Sequence, residues 1–195
     1  RQFIYGHSLG AMVALATAAR VDQPVDGIIL EDPPFSTMGC RLSGSELHRF
    51  FIGLRECLHQ RSSVESLFEK FSNIPLHDKD NETPVFVKDI RDEKSRWFAA
   101  ESLLLLDPEV LDPIISGQWL TGYEIDKLVG QINCPVVLLQ ADENIGGMLP
   151  DAEANLLEEK LGCRFKRLKF PGVGHSIHTE KPNEVLQLIR QEVSQ

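Results

Sequence analysis

A serine, a histidine and a carboxylate, far apart in the chain, have the types and settings to do covalent chemistry together. Ser8 stands in Gly6-His7-Ser8-Leu9-Gly10, a G-x-S-x-G stretch between an extended apolar run and a small-residue helix. A serine on such a turn is held at the tip of a strand with its hydroxyl exposed. A free hydroxyl is a poor nucleophile and needs a neighbouring base, usually an oriented histidine. His175, in Pro171-Gly172-Val173-Gly174-His175, offers that base after the last strand pattern and before the last helix. Asp142, just past the strand that ends in Gln140, is the acid expected to orient the imidazole and stabilise its charged form. Asp151, and Asp32 at the end of another strand, stay open as alternatives. The Leu9 N–H, at the start of the helix, would point at a developing oxyanion with the helix dipole behind it. Gly6 and Gly10 are expected to relieve contacts that a Cβ would create on so crowded a turn.

The remaining histidines have plainer readings. His7, His48, His59 and His77 are read as structural, and His178 as a structural or pocket-wall residue. A zinc site on His175 and His178 lacks a visible third ligand. The chemistry above requires neither a metal nor an organic cofactor. The four cysteines, Cys40, Cys57, Cys134 and Cys163, have no C-x-x-C spacing and read as reduced thiols of a cytoplasmic protein.

The elements that must position Ser8, Asp142 and His175 follow from the hydropathy pattern. Phe3-Ile4-Tyr5 is a short strand ending at Gly6, and Ala11 to Ala19 is a helix apolar almost all round, as buried helices are. Val25 to Glu31 is a second buried strand, closed by Asp32-Pro33-Pro34. Strand, sharp turn, helix, strand is a βαβ unit, and such units build parallel sheets. From Phe35 to about Gly130 the pattern turns helical: Leu47, Phe50, Phe51, Leu54 and Leu58 recur at helical spacing after the cap candidates Ser43 and Ser45. Val64, Leu67, Phe68 and Phe71 make a second stripe, Thr83-Pro84 a helix start, and Asp107-Pro108 another. A strand returns at Pro135 to Gln140, followed by a helix from Asp151 to Leu161 that Gly162 stops. Arg164 to Phe170 is a last strand, and Pro182 to Val193 a closing helix. The expected organisation is an α/β core of residues 1–34 and 131–195, interrupted by a helical cap or lid over residues 35–130. Phe50, Phe51, Trp97, Trp119 and Tyr123 are its candidate pocket-lining aromatics.

With 195 residues, 42% of them hydrophobic and 25% charged, the chain can bury a sizeable core. Its formal net charge of −9 argues against a general nucleic-acid or anionic-membrane binder, since both need a basic surface. No apolar run is long enough to span a membrane. The oligomeric state is not written in the sequence.

Serine, then aspartate, then histidine, in that chain order on the strand ends of a parallel sheet, resembles the α/β-hydrolase fold superfamily. The resemblance covers nearly the whole chain, with Gly6-His7-Ser8-Leu9-Gly10 similar to the nucleophile motif and Gly172-Val173-Gly174-His175 to the histidine loop. It implies a serine hydrolase with no cofactor, acting on a small or medium carboxylic ester or a related acyl substrate. A non-catalytic ligand-binding protein on the same fold is the alternative. Many members place the acid two residues further along its loop, a register that lands here on Asn144. The chain also starts at Arg1, inside a strand and without a Met, so it reads as the C-terminal part of a longer protein. Strands ahead of the nucleophile strand, and the loop that gives the superfamily its second oxyanion donor, are expected upstream. The 195 residues alone are therefore expected to aggregate or to turn over p-nitrophenyl esters negligibly.

Overall fold

A computed structural model of the chain describes residues 1–76 and 85–194. His77 and the helix start expected at Thr83-Pro84 lie outside the described residues. The described chain divides into two compact units, one of residues 1–37 with 122–195 and one of residues 38–121.

The first unit is built on four parallel strands in chain order: β1 (Phe3–His7), β2 (Gly27–Glu31), β3 (Val136–Ala141) and β4 (Phe165–Phe170). Every residue of β2 and β3 is buried, as the unbroken apolar runs Ile28-Ile29-Leu30 and Val136 to Leu139 require of strands covered on both faces. On β4, Lys166 and Lys169 are exposed, which places charge along an edge of the sheet. Alternation along the strands sends Ile29, Val137, Leu139 and Ala141 to one face. There they pack with Val173, with Ile177 of α9 (Ile177–Glu180) and with Val185 of α10 (Pro182–Ser194). Three further helices belong to the same unit: α1 (Leu9–Arg20) against β1 and β2, α7 (Ile125–Gln131) against α1, and α8 (Asp151–Leu161) against α7 and β4. Gly162 ends α8 at φ +56°, a conformation that L side chains rarely adopt.

Two expectations change in this unit. Helix α1 buries Ala11, Met12, Ala14 and Leu15, but Leu9 and Val13 are more than half exposed, so its apolar sequence is not matched by burial all round. Tyr123 and α7, assigned by sequence to the helical insertion, belong to the sheet unit, where the Tyr123 hydroxyl donates to the Met12 carbonyl at 2.9 Å. Burial of that phenol pushes its pKa well above the usual range.

The second unit is helical: α2 (Glu46–His59), α3 (Val64–Ser72), α4 (Val87–Ile90), α5 (Glu93–Leu105) and α6 (Asp112–Ile115). Ser45 caps α2 by accepting from the His48 N–H, and Ser63 caps α3 by accepting from Ser66. Asp107-Pro108 opens the expected short helix, a 3-10 turn over Pro108–Leu111 capped by the Asp107 side chain. The apolar stripes meet in one core around Leu54, Leu58, Leu67, Phe71, Val87 and Ala100. Trp97 stacks on Phe68 with centroids 4.2 Å apart, Phe50 and Phe51 meet edge to face, and the Trp119 indole donates to the Met38 carbonyl. A pocket of about 610 Å³ opens within this unit, lined by Phe50, Leu54, Phe71, Arg91, Lys94 and Phe98.

Candidate active site

The site lies at the carboxyl ends of the four strands, the edge where open parallel sheets hold ligands. Chain order brings β1, β2 and β3 to this edge at His7, Glu31 and Ala141, so that Ser8, Asp32 and Asp142 each come one residue after a strand end. His175 arrives from the loop after β4.

Ser8 has φ 56° and ψ −124°, and Asp32 has φ 44°. Among the described residues these are the two non-glycine positions with left-handed φ. Such strain persists only where the surroundings over-determine it, and it concentrates at functional sites. The Ser8 N–H donates to the Glu31 carbonyl at 2.9 Å, and its own carbonyl accepts from the Ala11 N–H at 3.0 Å. The turn is thus pinned between β2 and the first turn of α1. Gly6 is needed there, since a Cβ on it would lie 2.2 Å from the Gly10 carbonyl oxygen. Gly10 is not needed for the same reason: a Cβ on it meets nothing within 4 Å, because that side of the helix start faces open space. Leu9 is the first residue of α1, and helix geometry gives an N–H at that position no intrahelical acceptor.

His175 finds its carboxylate at Asp32. Nδ1 of the ring lies 2.7 Å from Asp32 Oδ2, and the Asp32 side chain is fully buried. The Met148 and Leu149 N–H groups also donate to that carboxylate, at 2.7 and 3.2 Å. With Nδ1–H given to Asp32, the tautomer leaves the Nε2 lone pair free to take a proton.

Asp142, the acid expected from sequence, is not the partner of His175. Its carboxylate accepts from the Asn144 N–H and side-chain amide, each at 3.0 Å, and from the Gly172 N–H at 2.9 Å. It ties the loop after β3 to the loop after β4, and those donors, Gly172 first, hold its pKa below the usual aspartate range. The alternative Asp151 is engaged elsewhere, by Arg167, by Lys169 at 3.0 Å and by Gln140 at 3.0 Å. Asn144 serves Asp142.

Glu31 was missed by sequence reasoning. Fully buried, it accepts from the His178 N–H at 3.0 Å and from the Tyr5 hydroxyl, and His178 Nδ1 lies 2.9 Å from its Oε1. His7 Nε2 is 2.9 Å from the His175 carbonyl oxygen, and its ring sits between those of His175 and His178, with centroids 4.6 and 4.8 Å away. Burial first, then the neighbouring His175, pushes the His7 pKa down. Only the mixed character of Glu31, a charge closing an apolar strand, hinted that something must hold it there.

The comparisons with known proteins agree with this architecture. No curated protein matches the chain. Among solved structures, E-2-(acetamidomethylene)succinate hydrolase superposes with a TM-score of 0.61 at 13% identity, covering 99% of this chain and 66% of that one. A carboxylesterase of the thaumarchaeon Nitrososphaera gargenis gives 0.60 at 16% identity, covering 98% and 64%. A meta-cleavage product hydrolase of Pseudomonas fluorescens IP01 gives 0.58 at 17%, covering 97% and 63%. The chain therefore spans just under two thirds of the length of these structures, and at such identities the likeness is one of fold. Residues 1–188 match the alpha/beta hydrolase family, and with a match over nearly its whole length the chain belongs to that family.

Proposed function

We propose that the protein is a serine hydrolase in which Ser8 is the nucleophile, His175 the general base and acid, and Asp32 the carboxylate that orients His175. The observation that carries this reading is the 2.7 Å bond from His175 Nδ1 to a fully buried Asp32, on the strand end beside the strained Ser8 turn. His175 Nε2 takes the Ser8 proton as Oγ attacks the acyl carbon, and Asp32 stabilises the imidazolium that forms. The Leu9 N–H stabilises the oxyanion of the tetrahedral intermediate. His175 then gives its proton to the leaving group, and water releases the acyl group from Ser8 by the same steps in reverse order.

A small or medium carboxylic ester, or a related acyl compound, fits this chemistry, and the structural neighbours described as hydrolases and a carboxylesterase fit with it. The helical unit of residues 38–121 has an apolar pocket of its own. A non-catalytic ligand-binding role on the same fold is the alternative, and the His175–Asp32 pair supports the catalytic reading over it.

Fluorophosphonate labelling of the full-length protein is the test. The adduct is expected on Ser8 and is lost in Ser8→Ala and His175→Ala. Asp32→Asn slows labelling and ester turnover by roughly a thousand- to ten-thousandfold, the scale on which a wrongly held tautomer acts. Asp142→Asn leaves both within a few-fold. A wild-type protein that forms no adduct sinks the nucleophile assignment, and slow labelling in Asp142→Asn with normal labelling in Asp32→Asn restores Asp142 as the acid.

A further inference from the structure

Beside the candidate triad lies a second cluster that the hydrolase chemistry does not use. His7, Glu31 and His178 can each offer one ligand atom, and these atoms lie within 4.8 Å of one another. His178 Nδ1 is 2.9 Å and His7 Nε2 4.0 Å from the Glu31 oxygen. Ligand atoms about 2.0–2.1 Å from a tetrahedral zinc ion are roughly 3.3 Å apart, so these two separations straddle the value such an ion imposes. Two imidazoles and one carboxylate form a donor set that zinc and neighbouring divalent transition metals take, whereas magnesium and calcium favour all-oxygen sets.

Burial supplies the second argument. The Glu31 side chain is fully buried, and every basic group within ion-pair distance of it among the described residues is a histidine. Its oxygens accept from the Tyr5 hydroxyl and the His178 N–H, which satisfies their hydrogen bonding. But no lysine or arginine among the described residues pairs its charge, and a buried charge is costly without a counter-charge. The two histidines remain reachable, with side chains 26% and 44% exposed, so an ion has a way in and solvent can complete its shell.

We propose that His7, Glu31 and His178 form a binding site for a divalent transition metal of the zinc type, separate from the Ser8, His175 and Asp32 set. Binding turns His7 Nε2 from the His175 carbonyl toward the ion, which couples the metal to the position of the loop that carries His175. The inference does not depend on the hydrolase reading, since it is read by metal binding and not by turnover.

Calorimetric titration of the metal-stripped full-length protein with zinc chloride tests it, together with the visible d–d absorption of bound cobalt(II). One equivalent is expected to bind, with a cobalt spectrum of low coordination number. Glu31→Gln and His178→Ala should each weaken binding by more than the ten- to hundredfold, roughly, that loss of a mere outer partner costs. His178 is part-exposed, so His178→Ala decides the question even if Glu31→Gln does not fold. His175→Ala, and Cys40→Ser with Cys163→Ser, should bind as the wild type does. No stoichiometric binding, or affinity unchanged in His178→Ala, overturns the site. Zinc binding that survives in every variant while fluorophosphonate labelling fails would count against both readings separately.

Discussion

Asp142 shows how a carboxylate at a strand end can be fully occupied without touching His175. Its side chain accepts two backbone N–H groups and one amide, from residues on either side of the gap between the loops after β3 and β4. All three bonds favour the ionised form, and the folded pKa accordingly sits below the ordinary aspartate value. Since the folded pKa is depressed, the stabilising effect is fully present above the ordinary pKa and is lost as pH falls through the folded one. Asp142→Asn keeps the shape and removes the charge, so it should melt at a lower temperature than the wild type at pH 7. That gap should close on acidification, once the wild-type carboxylate is protonated too. Thermal melts of both proteins from neutral to strongly acidic pH check this. A gap that stays constant with pH would mean that shape, and not charge, does the bridging.

At the scale of elements, the turn between β1 and α1 depends on the two glycines of its motif very unequally. A methyl at residue 6 runs into the backbone of Gly10 and Ala11, which cannot move without unwinding the first turn of α1. Gly6→Ala should therefore cost at least the 1–3 kcal/mol typical of overpacking, roughly, and displace Ser8 with it. Gly10→Ala meets open space inside a helix, and should be neutral or stabilising by up to about 1 kcal/mol. Urea denaturation of the two variants separates them, and equal losses would contradict the geometry of the turn. The same contrast marks what was legible in the sequence. The strained turn at Ser8, the four strands and the loop that carries His175 are local patterns, each written in a few consecutive residues such as Gly6 to Gly10 or Pro135 to Gln140. The partner of His175 is not local. Asp32, Asp142 and Asp151 all stand at or near strand ends in the sequence, and only the packed loops decide which carboxylate the imidazole meets. Glu31 was hidden for a related reason, because its partners Tyr5, His7 and His178 come from two other segments of the chain.

At the scale of the whole molecule, each compact unit carries its own core. The sheet unit closes around the fully buried β2 and β3, and the helical unit around Leu58, Leu67, Phe71 and Ala100. The cysteines divide evenly between them: Cys57 is buried in the helical unit and Cys134 in the sheet unit, while Cys40 and Cys163 are exposed, one in each. Burial raises the pKa of the Cys57 and Cys134 thiols, which lowers their thiolate fraction and adds to their inaccessibility. Under native conditions Cys40 and Cys163 should take up iodoacetamide first. In a urea series, brief alkylation pulses then report the opening of each unit through its buried thiol. The helical unit is the smaller of the two, and smaller units bury a lower fraction of their surface and open more readily. Cys57 should accordingly become reactive at lower urea than Cys134. Coincident labelling of the two would show that both units unfold as one cooperative structure.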